Sequence, residues 1–141
     1  MNVSDIMTAN PKTINPSSTL KDSLNKMLQI RCHHLPVLSR EKHLVGIISD
    51  YDCHKALSQD QQKPLHVSNV MTPAPIIIEP NASVEEAARL MLNHNIRCLP
   101  VMRGETLIGI ITTSDLLIAF IQLSKGNRQS SLPNSISFIG L

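Results

Sequence analysis

Apolar positions along this chain change period several times, and the same succession of periods occurs twice. Leu20, Leu24, Met27 and Leu28 recur at three- and four-residue spacing, as do Val84, Ala87, Ala88, Met91 and Leu92. That is the stripe of an amphipathic helix. Ahead of each stripe, Lys12 to Ile14 and Ile76 to Ile78 predict a short strand, halted by Pro16 or Pro80 and a polar turn. Ser83 followed by Glu86 has the capping-box spacing that starts a helix, and Thr19 with Asp22 is a weaker version. Two short apolar runs follow each helix: Leu35 to Leu38 and Leu44 to Ile48, then Leu99 to Met102 and Leu107 to Ile111. The polar SREK and RGE segments between them suit tight hairpins, and a second helix begins near Asp50 and near Thr113. Each unit therefore reads β-α-β-β-α.

The residues themselves repeat as well. VSDIMTANPKTINP from Val3 recurs as VSNVMTPAPIIIEP from Val67, HHLPVL as RCLPVM, and HLVGIISDYDCHKAL from His43 as TLIGIITTSDLLIAF from Thr106. Two copies are too few for a solenoid, so the pair is expected to close on itself with pseudo-two-fold symmetry. The division follows: residues 1–62 as the first motif, 63–125 as the second and 126–141 as a C-terminal tail, polar at first and apolar at its end.

Composition narrows the function. At 141 residues, with one Tyr, two Phe and no Trp, the core must be aliphatic, and stacking platforms for single-stranded nucleic acid are lacking. A net charge of +2 from scattered basic residues points to neither nucleic acid nor an anionic membrane. No window is long and apolar enough for a membrane span, and MNVSDIMTANP lacks the layout of a secretion signal. Three cysteines without framework spacing suggest reduced thiols in the cytoplasm.

Chemistry is best sought where a strand runs into a helix, at Ser49 to Asp52 and Thr112 to Asp115. Each junction places a hydroxyl at the helix start and a carboxylate three positions later. This is the pattern of a simple N-cap. It is equally a place where free amides and a hydroxyl attract phosphate while an ionised carboxylate accepts from a ribose diol. Cys32-His33-His34 and Cys53-His54 lack the spacing of zinc sites, so no metal is expected. No nucleophile-plus-base signature, Walker loop or Gly-x-Gly-x-x-Gly turn occurs, so catalysis is not expected. Leu116 to Ile121 is apolar almost all round, which calls for burial on more than one side; a second subunit is the expected cover, and the C-terminal tail, with Ile136, Phe138, Ile139 and Leu141 at its end, is the alternative.

The Met-Thr lead-in, the Leu-Pro-Val strand and Gly-Ile-Ile-(Ser/Thr)-x-x-Asp, repeated in register over residues 3 to 123, resemble the cystathionine β-synthase (CBS) domain. Two in tandem resemble a CBS pair, or Bateman module, of the small stand-alone bacterial type, similar in kind to acetoin-utilisation proteins. The resemblance implies an α/β (α+β) fold of two facing sheets with related clefts. It implies a cytoplasmic regulatory homodimer, with no cofactor required, that binds AMP, ADP, ATP or S-adenosylmethionine and acts on a client protein. Asp52 and Asp115 would then meet ribose, and Ser49 and Thr112 phosphate. Thr13, Ile14, Ile77 and Ile78 would flank adenine, and His33, His34 and Arg97 would reach phosphates. The rival reading is a ligand-free dimerisation or scaffold module. The second cleft is expected to be the better nucleotide site. The first carries the extra carboxylate of Asp50, and at about 6 Å and an effective dielectric near 20 like charges repel by roughly 2–3 kcal/mol.

Overall fold

The computed structural model describes residues 1–59 and 65–127 of the chain. The first copy comprises α1 (Val3–Ile6), β1 (Thr8–Ala9), α2 (Leu20–Ile30), β2 (His34–Leu38), β3 (Leu44–Ser49) and α3 (Asp50–Ser58). The second repeats it as α4 (Val67–Val70), β4 (Thr72–Pro73), α5 (Val84–His94), β5 (Cys98–Arg103), β6 (Thr106–Thr112) and α6 (Thr113–Asn127). The helix starts follow from local chemistry. Thr19 and Ser83 stay extended, and their hydroxyls accept the amides of Asp22 at 3.1 Å and Glu86 at 3.0 Å. Both helices end on a residue in the left-handed region, Arg31 and Asn95. The capping box expected at Ser83 is only half made: Ser83 Oγ accepts the Glu86 amide, and the Ser83 backbone lies opposite Asn2 in an antiparallel bridge.

Each three-stranded sheet borrows a strand from the other copy. The orders are β2-β3-β4 and β1-β6-β5, so the Met-Thr lead-in of one repeat completes the sheet of its twin. Main-chain hydrogen bonds mirror the exchange: Val3 donates to Ala82 at 2.8 Å and Ser4 to Pro80 at 2.9 Å, while Val67 donates to Ser18 at 2.8 Å and Ser68 to Pro16 at 2.9 Å. Gly46 and Gly109 show why glycine lies inside the second hairpin strand. A Cβ at Gly46 would stand 2.5 Å from the Met71 sulfur, and one at Gly109 would meet the Met7 sulfur. The borrowed lead-in thus lies directly on the glycine.

Two sequence expectations are corrected. Lys12 to Ile14 and Ile76 to Ile78 do not form regular strands; each makes one parallel bridge, Ile14 to Val37 and Ile78 to Val101. Prolines at 11 and 16, and at 75 and 80, remove amide donors on either side and stop the ladder there. Leu28 and Leu92, read as members of the buried stripes, are 80% and 81% exposed. Leu20 and Met27 face the core, and at 3.6 residues per turn Leu28 lies roughly 80° round from Leu20, at the edge of that face.

Each core is aliphatic and takes one fully buried residue from the exchanged lead-in. Val67 joins Leu20, Met27, Leu35, Val37, Ile48 and Cys53; Val3 joins Ala87, Met91, Leu99, Val101 and Ile111. The copies are therefore interlocked rather than strung together. α6 continues through Asn127, into the segment read as tail, and residues 128–141 lie outside the described residues.

Candidate functional site

The antiparallel β2–β3 and β5–β6 pairs bring the residues before Leu-Pro beside the following helix. His34 pairs in register with Ser49, and Cys98 with Thr112. The His33 carbonyl accepts the Asp50 amide at 3.0 Å, and the Arg97 carbonyl accepts the Thr113 amide at 3.0 Å. In each copy a basic or imidazole side chain is thereby anchored at the start of α3 or α6. The remaining expected residues lie one segment away. Ile14 and Ile78 are buried in the cores, Thr13 is half-buried with its carbonyl accepting from the Lys26 ammonium, and Ile77 is 46% exposed. Ile77 therefore offers open apolar surface, while the buried Ile14 and Ile78 side chains act as core.

At the second junction the carboxylate folds back on its own cap. Thr112 donates to Asp115 Oδ2 through its amide at 2.9 Å and its hydroxyl at 3.1 Å, and the Asp115 amide donates to Thr112 Oγ1 at 3.3 Å. Burial raises the Asp115 carboxyl above its ordinary value, and the Thr112 hydrogen bonds oppose that shift. The Thr113 and Ser114 hydroxyls add donors without adding charge.

The first junction is built differently. Ser49 Oγ accepts the Asp52 amide at 3.1 Å, but among the described residues the Asp52 carboxylate accepts no hydrogen bond. It lines a groove of about 320 Å³ with Lys55, Ala56, Gln59, Leu65, Asn69 and Val70. Asp50 is the residue held in place: its Oδ1 accepts the Tyr51 amide at 2.7 Å and its Oδ2 accepts from His33 Nδ1 at 2.7 Å. Burial works to raise the Asp50 carboxyl, but the His33 and Tyr51 hydrogen bonds and the field of both imidazoles hold it below its ordinary value.

His34 sits at the centre of these charges. Burial pushes it below its ordinary 6.5, Asp50 and Asp52 pull it back, and His33 and Arg97 add to the depression. Arg97 belongs to the second copy, so its influence on His34 ties the charged groups of the two repeats together. The counterpart of His34 is Cys98, whose thiol burial raises to about 12, leaving it unreactive. Among the described residues no group of three or more His, Cys, Asp or Glu side chains could hold a metal.

Sequence reasoning found both junctions but missed the His33–Asp50 pair and the groove. The groove residue Lys55 stands where the other copy has Ile118, and that divergence in polarity between copies was the available signal.

Comparison with known proteins gives the context. The chain superposes on the acetoin utilization protein AcuB of Vibrio cholerae with a TM-score of 0.82 and 33% identity, covering 90% of this chain and 96% of that one. CBSX2 in complex with AMP gives 0.73 and 33%, over 87% and 98%. The CBS domain pair of MJ0100, in complex with 5′-methylthioadenosine and S-adenosyl-L-methionine, gives 0.78 and 27%, over 91% and 98%. The CBS domain matches twice, at residues 3–59 and 67–122, and the chain belongs to that family.

Proposed function

We propose that this protein is a regulatory module, not an enzyme, that reversibly binds an adenosine-type ligand at its two strand-to-helix junctions. AMP, ADP, ATP and S-adenosylmethionine are the candidates, none of them a required cofactor. The observation that carries the reading is the duplicated constellation of Ser49 with Asp52 and Thr112 with Asp115 at helix starts. The Ser114 amide and the Thr113 and Ser114 hydroxyls at the second junction suit phosphate, and the carboxylate of each copy suits a ribose diol. Relatives solved with AMP, or with methylthioadenosine and S-adenosylmethionine, support the same ligand class. Occupancy acts on a client only through differential affinity between two states of the pair. A thermal-shift panel of adenosine compounds tests the reading: a hundredfold excess over Kd adds about 2.7 kcal/mol, a rise of several degrees. A flat panel across all four compounds contradicts it.

One observation favours the rival scaffold reading. The Asp115 carboxylate already closes its own helix cap, which is all a ligand-free module needs.

The protein works as a homodimer in this account. Leu117, Phe120 and Leu123 are 62%, 67% and 47% exposed on one face of α6, and Leu92 on neighbouring α5 is 81% exposed. A second copy of the chain would bury this strip. Among the described residues no helix is long and apolar enough to cross a membrane. The three cysteines are free thiols, which suits the reducing cytoplasm.

A further inference from the structure

The two clefts share a backbone but not an electrostatic character, and the difference lies in the first turn of each helix. In α3 the amides of Asp50, Tyr51 and Asp52 are all taken internally, by the His33 carbonyl at 3.0 Å, Asp50 Oδ1 at 2.7 Å and Ser49 Oγ at 3.1 Å. An anion arriving here finds all three donors filled, one of them by the Asp50 carboxylate, and a second carboxylate, Asp52, close by. The compensating cations are weak. His33 is a largely exposed imidazole that bonds Asp50, burial holds His34 toward its neutral form, and Arg97 is exposed. In α6 an uncharged Thr113 stands where Asp50 stands in α3. The Thr113 and Asp115 amides are taken as in α3, by the Arg97 carbonyl and Thr112 Oγ1, so the difference in donors is the Ser114 amide, counterpart of that of Tyr51, which among the described residues donates to no side chain.

We propose that the clefts divide adenosine compounds by the charge of their 5′ substituent, with Asp50 as the discriminating residue. The Thr112–Asp115 cleft takes a 5′-phosphate. The Ser49–Asp52 cleft takes an adenosine whose 5′ substituent is neutral or cationic, a thioether or a sulfonium. The ribose diol is read by Asp115 in one cleft and Asp52 in the other, so the assignment rests on the adenosine reading above. The groove beside Asp52 runs along the Lys55–Gln59 face of α3 and does not include Asp50, but it offers room for the tail of such a substituent. It is of small-molecule size, and Lys55, Gln59 and Asn69 offer donors for the carboxylate of an amino-acid tail.

Calorimetry on the full chain with AMP, 5′-methylthioadenosine and S-adenosylmethionine tests this. AMP should bind the wild type at one site per chain, lost in Asp115→Ala and kept in Asp52→Ala. The thioether and sulfonium compounds should show the reverse dependence. Asp50→Thr, which copies Thr113, should create a second AMP site or tighten a weak one on the order of tenfold, with screening keeping the gain below the bare Coulomb figure. Asp50→Asn keeps the shape of the side chain and should act in the same direction, which guards against a fold artefact in Asp50→Thr. If all three compounds bind but neither Asp50 variant changes AMP stoichiometry or affinity, the charge division is overturned and the adenosine reading stands. If AMP and the thioether compete for the same cleft, the division is likewise overturned. If none of the compounds binds the wild type, the adenosine reading itself falls.

Discussion

Asp50 in the first copy stands where Thr113 stands in the second, His34 where Cys98 stands, and His54 where Leu117 stands. Around these positions the backbones match: both helices begin one residue after a hydroxyl-bearing strand end, and both sheets are closed by the partner's lead-in. Duplication has therefore kept the scaffold, which depends on buried aliphatic residues and on glycine beneath methionine, and has let the chemistry at the junctions diverge. The first copy has gathered charge, with two carboxylates and two imidazoles beside Arg97. The second has gathered hydroxyls at the junction and apolar side chains on the outer face of α6.

The largest expected effect separates the outer faces. Leu117→Glu should weaken self-association by several kcal/mol, because a carboxylate would be buried without a partner. The matched His54→Glu in α3 should leave association nearly unchanged. Sedimentation equilibrium reads the difference; a folded wild-type monomer at high micromolar concentration, or equal losses in the two variants, would break the comparison.

A smaller effect separates His34 from Cys98. Burial lowers the folded His34 below its ordinary 6.5, so the unfolded chain binds a proton first as the pH falls. Stability should therefore decline below about pH 6.5 and level off once the folded imidazole also protonates. The groups that set this window are Asp50, Asp52, His33 and Arg97. Thermal melts between about pH 7 and pH 5 should show a shallower decline in His34→Gln, while Cys98→Ala keeps the wild-type slope. An unchanged slope in His34→Gln would remove His34 from the account.

Much of this was legible in the residues. The repeat gave the pairing of elements, and the helix starts at Asp50 and Thr113 were read directly because their hydroxyl caps are local signals. The exchange of lead-ins was not legible, since β1 and β4 are two residues long and carry no periodicity, and their partners lie far away in sequence. Leu28 and Leu92 misled because a helical stripe does not mark where its buried edge stops. Asp50 was read as a repulsive charge pointing at a phosphate. Its bond to His33, seventeen residues earlier, exists only because β2 and β3 pair and bring the two side chains together. The groove escaped for the same reason, combining one face of α3 with Asn69 and Val70 of α4.

The central claim, that the duplicated junctions are adenosine sites of unequal character, is tested most directly by titrating AMP into the wild type, Asp115→Ala and Asp52→Ala in one calorimetric series. The account predicts saturable binding to the wild type that Asp115→Ala abolishes and Asp52→Ala leaves largely intact. Absence of binding to the wild type, or a greater loss in Asp52→Ala than in Asp115→Ala, would contradict it.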